Sequence, residues 1–229
     1  MPDDGYAFEL ETDSLANAMG KEIPARSLVL VTGGVGDGKS LITQRLAYGL
    51  VENGTSLAMV TTELTTRGWL EQTDSLGYGL TAAADADRFL LLSRFGVLSE
   101  EREAPVPIDE VLASPGVAAA DVAVIDRASP LLAATEGSPA QVLSALRRHC
   151  SAGHTLILTV DPGEVDPALL RELRGAAEVV IDMRVTEVGG FKRTIAVTRF
   201  LRAAGPVQAR IGWRVEPGMG FIVDITAVS

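Results

Sequence analysis

Apolar residues in this chain gather in short unbroken runs instead of alternating with polar ones. Ser27–Val31, Ser56–Val60, Phe89–Leu92, Val122–Ile125 and Thr155–Val160 each read as a strand with no solvent-facing side. Segments of helical character lie between them: Ser40–Glu52, Thr66–Leu76, Ile108–Ala113, Pro139–Ser151 and Pro167–Arg174. Strands and helices in alternation predict a parallel sheet covered on both faces. Residues 1–25 read as a polar lead-in with one short helix around Ser14–Met19.

The character changes near residue 178. Val179–Val185 leads to Gly189-Gly190 and then to Thr194–Phe200, a hairpin signal. Two further strands, Gly212–Val215 and Phe221–Ile225, flank Pro217-Gly218-Met219-Gly220. Ser99–Pro107 is acidic, holds two prolines and reads as a surface loop. The pattern predicts one α/β domain over residues 1–229. Its central sheet is mostly parallel and flanked by helices, with an antiparallel C-terminal extension over 178–229.

The first strand runs into Gly33-Gly34-Val35-Gly36-Asp37-Gly38-Lys39-Ser40, a full match to the phosphate-binding loop G-x-x-x-x-G-K-[ST]. Its chemistry is narrow. Successive backbone N–H groups cradle phosphates, and four glycines allow the required dihedrals and close approach. Lys39 is placed to reach the β- and γ-phosphates, and the Ser40 hydroxyl to ligate Mg²⁺. A strand before and a helix after aim the free amides at an anion.

Composition narrows the function classes. A length of 229 residues suits one large domain able to bury its core without staples. A net charge of −10 argues against a nucleic-acid groove. A single cysteine, Cys150, excludes an intrachain disulfide and a cysteine-based zinc site, and points to the cytosol. The acidic start Met1-Pro2-Asp3-Asp4 predicts no signal peptide. No segment approaches the roughly 18 apolar residues of a membrane helix, so membrane association would go through partners.

A nucleotide site also needs a Mg²⁺ carboxylate at a strand end. Asp121-Val122-Ala123-Val124-Ile125-Asp126 presents Asp126 where ligands bind in α/β sheets. Glu63 follows the second strand and is the candidate general base, although Thr61, Thr62, Thr65 and Thr66 around it equally suit helix capping. Thr159 or Asp161 would sense the γ-phosphate if their strand lies between those of the loop and Asp126, and Asp161-Pro162 equally suits a turn. Arg199 and Arg202 read either as cations reaching a neighbouring subunit's γ-phosphate or as solvated arginines on an edge strand. His149 and His154 read as structural, and Trp69 and Trp213 as core or interface residues.

Four segments carry a resemblance: Ser27–Leu50 (SLVLVTGGVGDGKSLITQRLAYGL), Thr61–Tyr78 (TTELTTRGWLEQTDSLGY), Thr155–Pro162 (TLILTVDP) and Ile211–Ser229 (IGWRVEPGMGFIVDITAVS). Together, in this order, the chain resembles the FlaH (ArlH) family of archaellum accessory proteins, KaiC-like members of the RecA superfamily. The archaellum is the archaeal swimming filament. The resemblance implies a RecA-type core, ATP binding with weak hydrolysis, and assembly into a ring, expected to be hexameric. It implies docking with the archaellum's motor ATPase and its polytopic membrane platform protein. By matching motif, Gly33, Gly38, Lys39 and Ser40 carry over as the phosphate loop, Asp126 as the second acidic motif, and Glu63 as the acid after the second strand.

The chain departs from the family pattern in three places. Gly20-Lys21-Glu22-Ile23-Pro24-Ala25-Arg26 stands where a glycine-rich turn is usual, and residues 93–120 carry few family features. Arg127 follows Asp126 where a small hydroxyl residue is usual. A cation there is placed to pair with Asp126 and disturb Mg²⁺ binding. The leading expectation is a nucleotide-gated scaffold. The alternatives are an active KaiC-like ATPase or autokinase using Glu63, and a RecA-type DNA-binding recombinase paralogue, which the acidic charge disfavours.

Overall fold

Strands without polar alternation must be covered on both sides, and the computed structural model covers them. It describes residues 4–81, 87–95, 106–186 and 192–224. Every residue of β3 (Leu28–Thr32), β4 (Leu57–Thr61), β6 (Val122–Asp126) and β7 (Thr155–Val160) is buried. Along these strands side chains alternate between two cores. Val29, Val31, Val124 and Ile157 face one core, with Ile42, Leu46 and Leu50 of α2 (Lys39–Glu52) and Trp69 of α3 (Thr66–Ser75). Leu28, Leu30, Ile125 and Leu158 face the other. That core takes α4 (Ile108–Ala113), α5 (Pro115–Ala119), α6 (Ser129–Ala134), α7 (Pro139–Ser151) and α8 (Pro167–Ala176).

Among the described residues the main sheet has nine strands, in the order β11-β10-β9-β8-β3-β7-β6-β4-β5. Here β5 is Phe89–Ser93, β8 Val179–Thr186, β9 Lys192–Phe200, β10 Arg210–Glu216 and β11 Gly220–Asp224. From β8 to β5 all pairs are parallel; β9, β10 and β11 are antiparallel to their neighbours. The C-terminal extension therefore starts one strand later than its sequence suggests, because β8 continues the parallel register of β3. The Gly189-Gly190 turn, most of the Ser99–Pro107 loop and Ile225 lie outside the described residues.

The polar lead-in is a structured element. Within it, β1 (Gly5–Ala7) pairs antiparallel with β2 (Glu22–Pro24), and α1 (Leu15–Ala18) lies between them. Tyr6, Phe8, Leu15, Met19 and Ile23 are all buried. Three-residue strands are too short to show a period, which hides them in the sequence. An ion pair fastens the segment to α2. Arg45 is fully buried and meets Asp13 through both carboxylate oxygens, Nε at 2.5 Å and Nη2 at 2.8 Å. Its Nη1 donates to the Phe8 carbonyl at 2.9 Å.

No helix among the described residues is long and apolar enough to cross a membrane.

Candidate nucleotide site

Parallel register brings four strand ends level. Thr32 pairs with Val160, and Thr61 with Asp126, while β7 lies between β3 and β6. The loop, Asp126 and Glu63 thus open onto the crevice at the carboxyl ends of the strands. The crevice is a cleft of about 520 Å³. Its wall includes the loop, Leu41, Glu63, Leu64, Gln72 and, across from them, Asp126, Arg127, Asp161 and Glu164.

The loop is braced by its own side chains and by the end of β7. Asp37 Oδ2 accepts from Gly34 N at 2.7 Å, and Gly33 N donates to Val160 O at 3.3 Å. Lys39 Nζ folds back to donate to the Gly33 and Gly34 carbonyls, each at 2.6 Å. An arriving phosphate would take over that ammonium. Gly38 caps α2 with φ +92° and no side-chain cap, so the helix amides stay available to an anion. Beneath the loop, Thr32 donates to Asp182, and Arg174 Nη2 donates to Thr32 Oγ1 at 2.9 Å and Asp182 Oδ1 at 2.5 Å. Burial opposes the charge on Asp182, but these two donors outweigh it and hold its pKa below the usual range.

Asp126 is 1% exposed, and its two oxygens differ. Oδ1 accepts from Thr159 Oγ1 at 3.0 Å. Oδ2 is buried and has no hydrogen-bond partner among the described residues. The Ser40 hydroxyl stands beside the carboxyl without closing a well-formed bond to it. Burial pushes the Asp126 pKa up; the Ser40 and Thr159 hydroxyls, and Lys39 further off, work against it. A buried, unsatisfied carboxylate oxygen next to a loop serine fits a divalent cation. Ser40 and Asp126 would hold it, and Mg²⁺ there would neutralise phosphate charge. No group of three or more His, Cys, Asp or Glu side chains poised for a metal occurs among the described residues. Such a cation would draw most of its ligands from phosphate and water.

The other candidates separate. Thr159 is fully buried and supports Asp126, whereas Asp161 lines the cleft. Glu63 lines it too, half-exposed. Arg127 does not pair with Asp126: its Nη2 lies 2.9 Å from Glu164 Oε1 and its Nη1 3.9 Å from Glu63 Oε1. Arg199 and Arg202 stand at the other end of the sheet. Arg199 Nη1 donates to the carbonyls of Arg174, Gly175 and Ala177, closing the end of α8. Arg202 Nη2 donates to Ala25 O at 2.9 Å. Both guanidinium groups are thus engaged within their own chain, away from its cleft. His149 and His154 stack on each other, 4.7 Å between ring centroids.

Three contributors carried no sequence signal for this role. Glu164 closes the turn that starts at Asp161 and meets Arg127 only through the fold. The Thr62 hydroxyl donates to Arg127 O at 2.7 Å. Trp213 reaches Gly38 from β10.

These features define an α/β domain of the KaiC/RecA type with a phosphate-loop cleft. A family model described as "ATPase: KaiC" matches residues 12–206, the greater part of the chain, and the chain belongs to that family. It is similar to the archaeal flagellar ATP-binding protein FlaH of Methanococcus voltae, 29% identical over 97% of this chain and 98% of the relative. The FlaH of Methanocaldococcus jannaschii is also 29% identical, over 97% of each chain. The crystal structure of the flagellar accessory protein FlaH from M. jannaschii superposes with a TM-score of 0.89 at 28% identity, covering 97% of this chain and 100% of that one. A KaiC-like protein from Pyrococcus horikoshii shares the fold alone, at 19% identity and a TM-score of 0.73.

Proposed function

We propose that this protein binds ATP with Mg²⁺ in the cleft and serves the archaellum as a nucleotide-gated scaffold. The observation that carries the reading is the convergence of the Gly33–Ser40 loop on the unsatisfied Oδ2 of Asp126. Similarity to proteins named archaeal flagellar ATP-binding protein FlaH supports the archaellum assignment. The cleft's acids, Glu63, Asp126, Asp161 and Glu164, outnumber its cations, Lys39 and Arg127, so a triphosphate would enter best with a divalent ion.

In this reading the protein forms a ring, expected to be a hexamer, that docks with the archaellum's motor ATPase and membrane platform protein. It works in the cytoplasm and meets the membrane through those partners. Ligand at about a hundred times its Kd adds roughly 2.7 kcal/mol to the bound form, enough to bias assembly without turnover. The position of Glu63 on the cleft wall favours one second reading, a slow ATPase with Glu63 as base.

The test is solution mass with and without Mg-ATP, with phosphate release from the same sample. Rising mass with background phosphate supports the scaffold; sustained release supports the ATPase. Lys39→Ala should abolish ATP binding and any ATP-dependent gain in mass. Equal affinity in wild type and variant would sink the site.

A further inference from the structure

Arg127 holds a backbone conformation that a side chain of its size disfavours. Its φ is +57°, in the left-handed region. Its neighbours impose it. Arg127 N donates to Thr159 Oγ1 at 2.6 Å, and Arg127 O accepts from Thr62 Oγ1 at 2.7 Å. Ala128 N then donates to Thr159 O at 2.8 Å. Thr159 is the penultimate residue of β7 and Thr62 follows β4, the two strands that flank β6. Strain of about 1–3 kcal/mol at such a residue persists where its surroundings over-determine it, and it concentrates at functional sites.

The consequence is a side chain on the wall of the cleft. The guanidinium joins two acids from separate parts of the chain, Glu164 at 2.9 Å and Glu63 at 3.9 Å. All three residues line the cleft. Glu63, which follows β4 and lines the cleft, is the candidate to act on a water beside the γ-phosphate.

We propose that Arg127 is a positioning residue that restrains Glu63, drawing the acid toward Glu164 and slowing ATP turnover. The proposal rests on the reading of the cleft as an ATP site. In hydrolysis the water oxygen bonds to the γ-phosphorus. The bond from that phosphorus to the bridging oxygen breaks, and ADP leaves with the electron pair. Glu63 accepts the proton released by the water. A carboxylate drawn toward a guanidinium on the cleft wall is held away from the water it would have to meet. The pair is half-exposed and long, so the restraint is partial.

The variant of choice is Arg127→Gly, since glycine adopts φ +57° without strain and the strand ends keep their geometry. Arg127→Asn, which also tolerates this region, is the second. Phosphate release is measured at saturating Mg-ATP, alongside the Kd of a fluorescent ATP analogue. Both variants should raise kcat about threefold to tenfold. Arg127→Lys, which keeps the charge, should stay near wild type. Adding Glu63→Gln to Arg127→Gly should remove the gain. Bound ATP with unchanged or lower kcat in both variants overturns the proposal, as does a gain that survives Glu63→Gln. A wild-type protein that binds no ATP overturns the cleft reading itself, and this proposal with it.

Discussion

The indole of Trp213 lies against Gly38. A Cβ placed on Gly38 would stand 2.3 Å from Trp213 Cη2 and 2.6 Å from Cζ2. The loop glycine is therefore required twice, by its φ of +92° and by the ring behind it. The ring is itself fixed: Trp213 stacks on Phe221, 4.6 Å between centroids, and Phe221 N donates to Tyr78 Oη at 2.7 Å. The C-terminal hairpin thus backs the phosphate loop although β8 and β9 separate it from β3.

Gly38→Ala should lose nucleotide binding while the domain stays folded, read by ATP titration and circular dichroism. Trp213→Ala should cost about 3–5 kcal/mol in urea denaturation, as large buried aromatics do, and weaken ATP binding through a loosened loop. Wild-type ATP affinity in Gly38→Ala would show that the contact does not shape the site.

Thr159→Val removes a hydroxyl that both donates to Asp126 Oδ1 and accepts from Arg127 N. A buried carboxylate and an amide lose a partner together, a penalty of about 1–3 kcal/mol for each group left unsatisfied. Stability should fall, and Mg-ATP affinity should fall about tenfold or more because Asp126 is no longer held. Calorimetric titration checks this; unchanged affinity would reduce Thr159 to a strand residue.

Asp13 and Arg45 form a buried pair, so breaking it from one side leaves an uncompensated charge. Asp13→Ala should destabilise the protein by about 3–5 kcal/mol. The double change Asp13→Leu with Arg45→Met should recover much of that loss, because well-packed apolar residues often replace such pairs without cost. Chemical denaturation of the three variants decides it. A double variant less stable than Asp13→Ala would mean that the pair holds the lead-in for a reason beyond its charge.

His149 is half-buried, and burial, with the neighbouring His154, lowers its pKa from 6.5 to about 4. The unfolded chain therefore binds a proton more readily than the native one between those values. The stabilising contribution is complete above about 6.5 and is lost as pH falls toward 4. After discounting for partial exposure, the loss is about 1–2 kcal/mol. His149→Gln should flatten that part of the stability–pH curve, followed by denaturation at several pH values. An unaltered slope would remove His149 as its source.

The parallel core was legible in the sequence because burial on both faces imposes unbroken apolar runs. The expected Thr155–Val160, Ile108–Ala113 and Pro139–Ser151 match the observed bounds, and the other core elements fall within two residues. Pro139–Ser151 was legible by its period, and in the structure Ser138 and Gln141 close a capping box at its start. The short helices Pro115–Ala119 and Ser129–Ala134 were not, since one turn or so shows no period. The phosphate loop was legible because backbone contact with phosphate dictates glycines at fixed spacing.

The sequence by itself determined which segments form the strands of the main sheet, where the loop lies and that Asp126 ends a buried run. These follow from local rules: burial, backbone freedom and helix starts. The tertiary structure alone decided which charges meet. Arg127 stands next to Asp126 in the chain yet turns to Glu164 and Glu63, because Thr159 and Thr62 set its backbone from neighbouring strands. Arg199 and Arg202 went to carbonyls at the far end of the sheet because β9 runs antiparallel there. Trp213 reached Gly38 because a nine-stranded sheet brings residues 175 positions apart into contact. Such pairings depend on strand order, which no short stretch of sequence encodes.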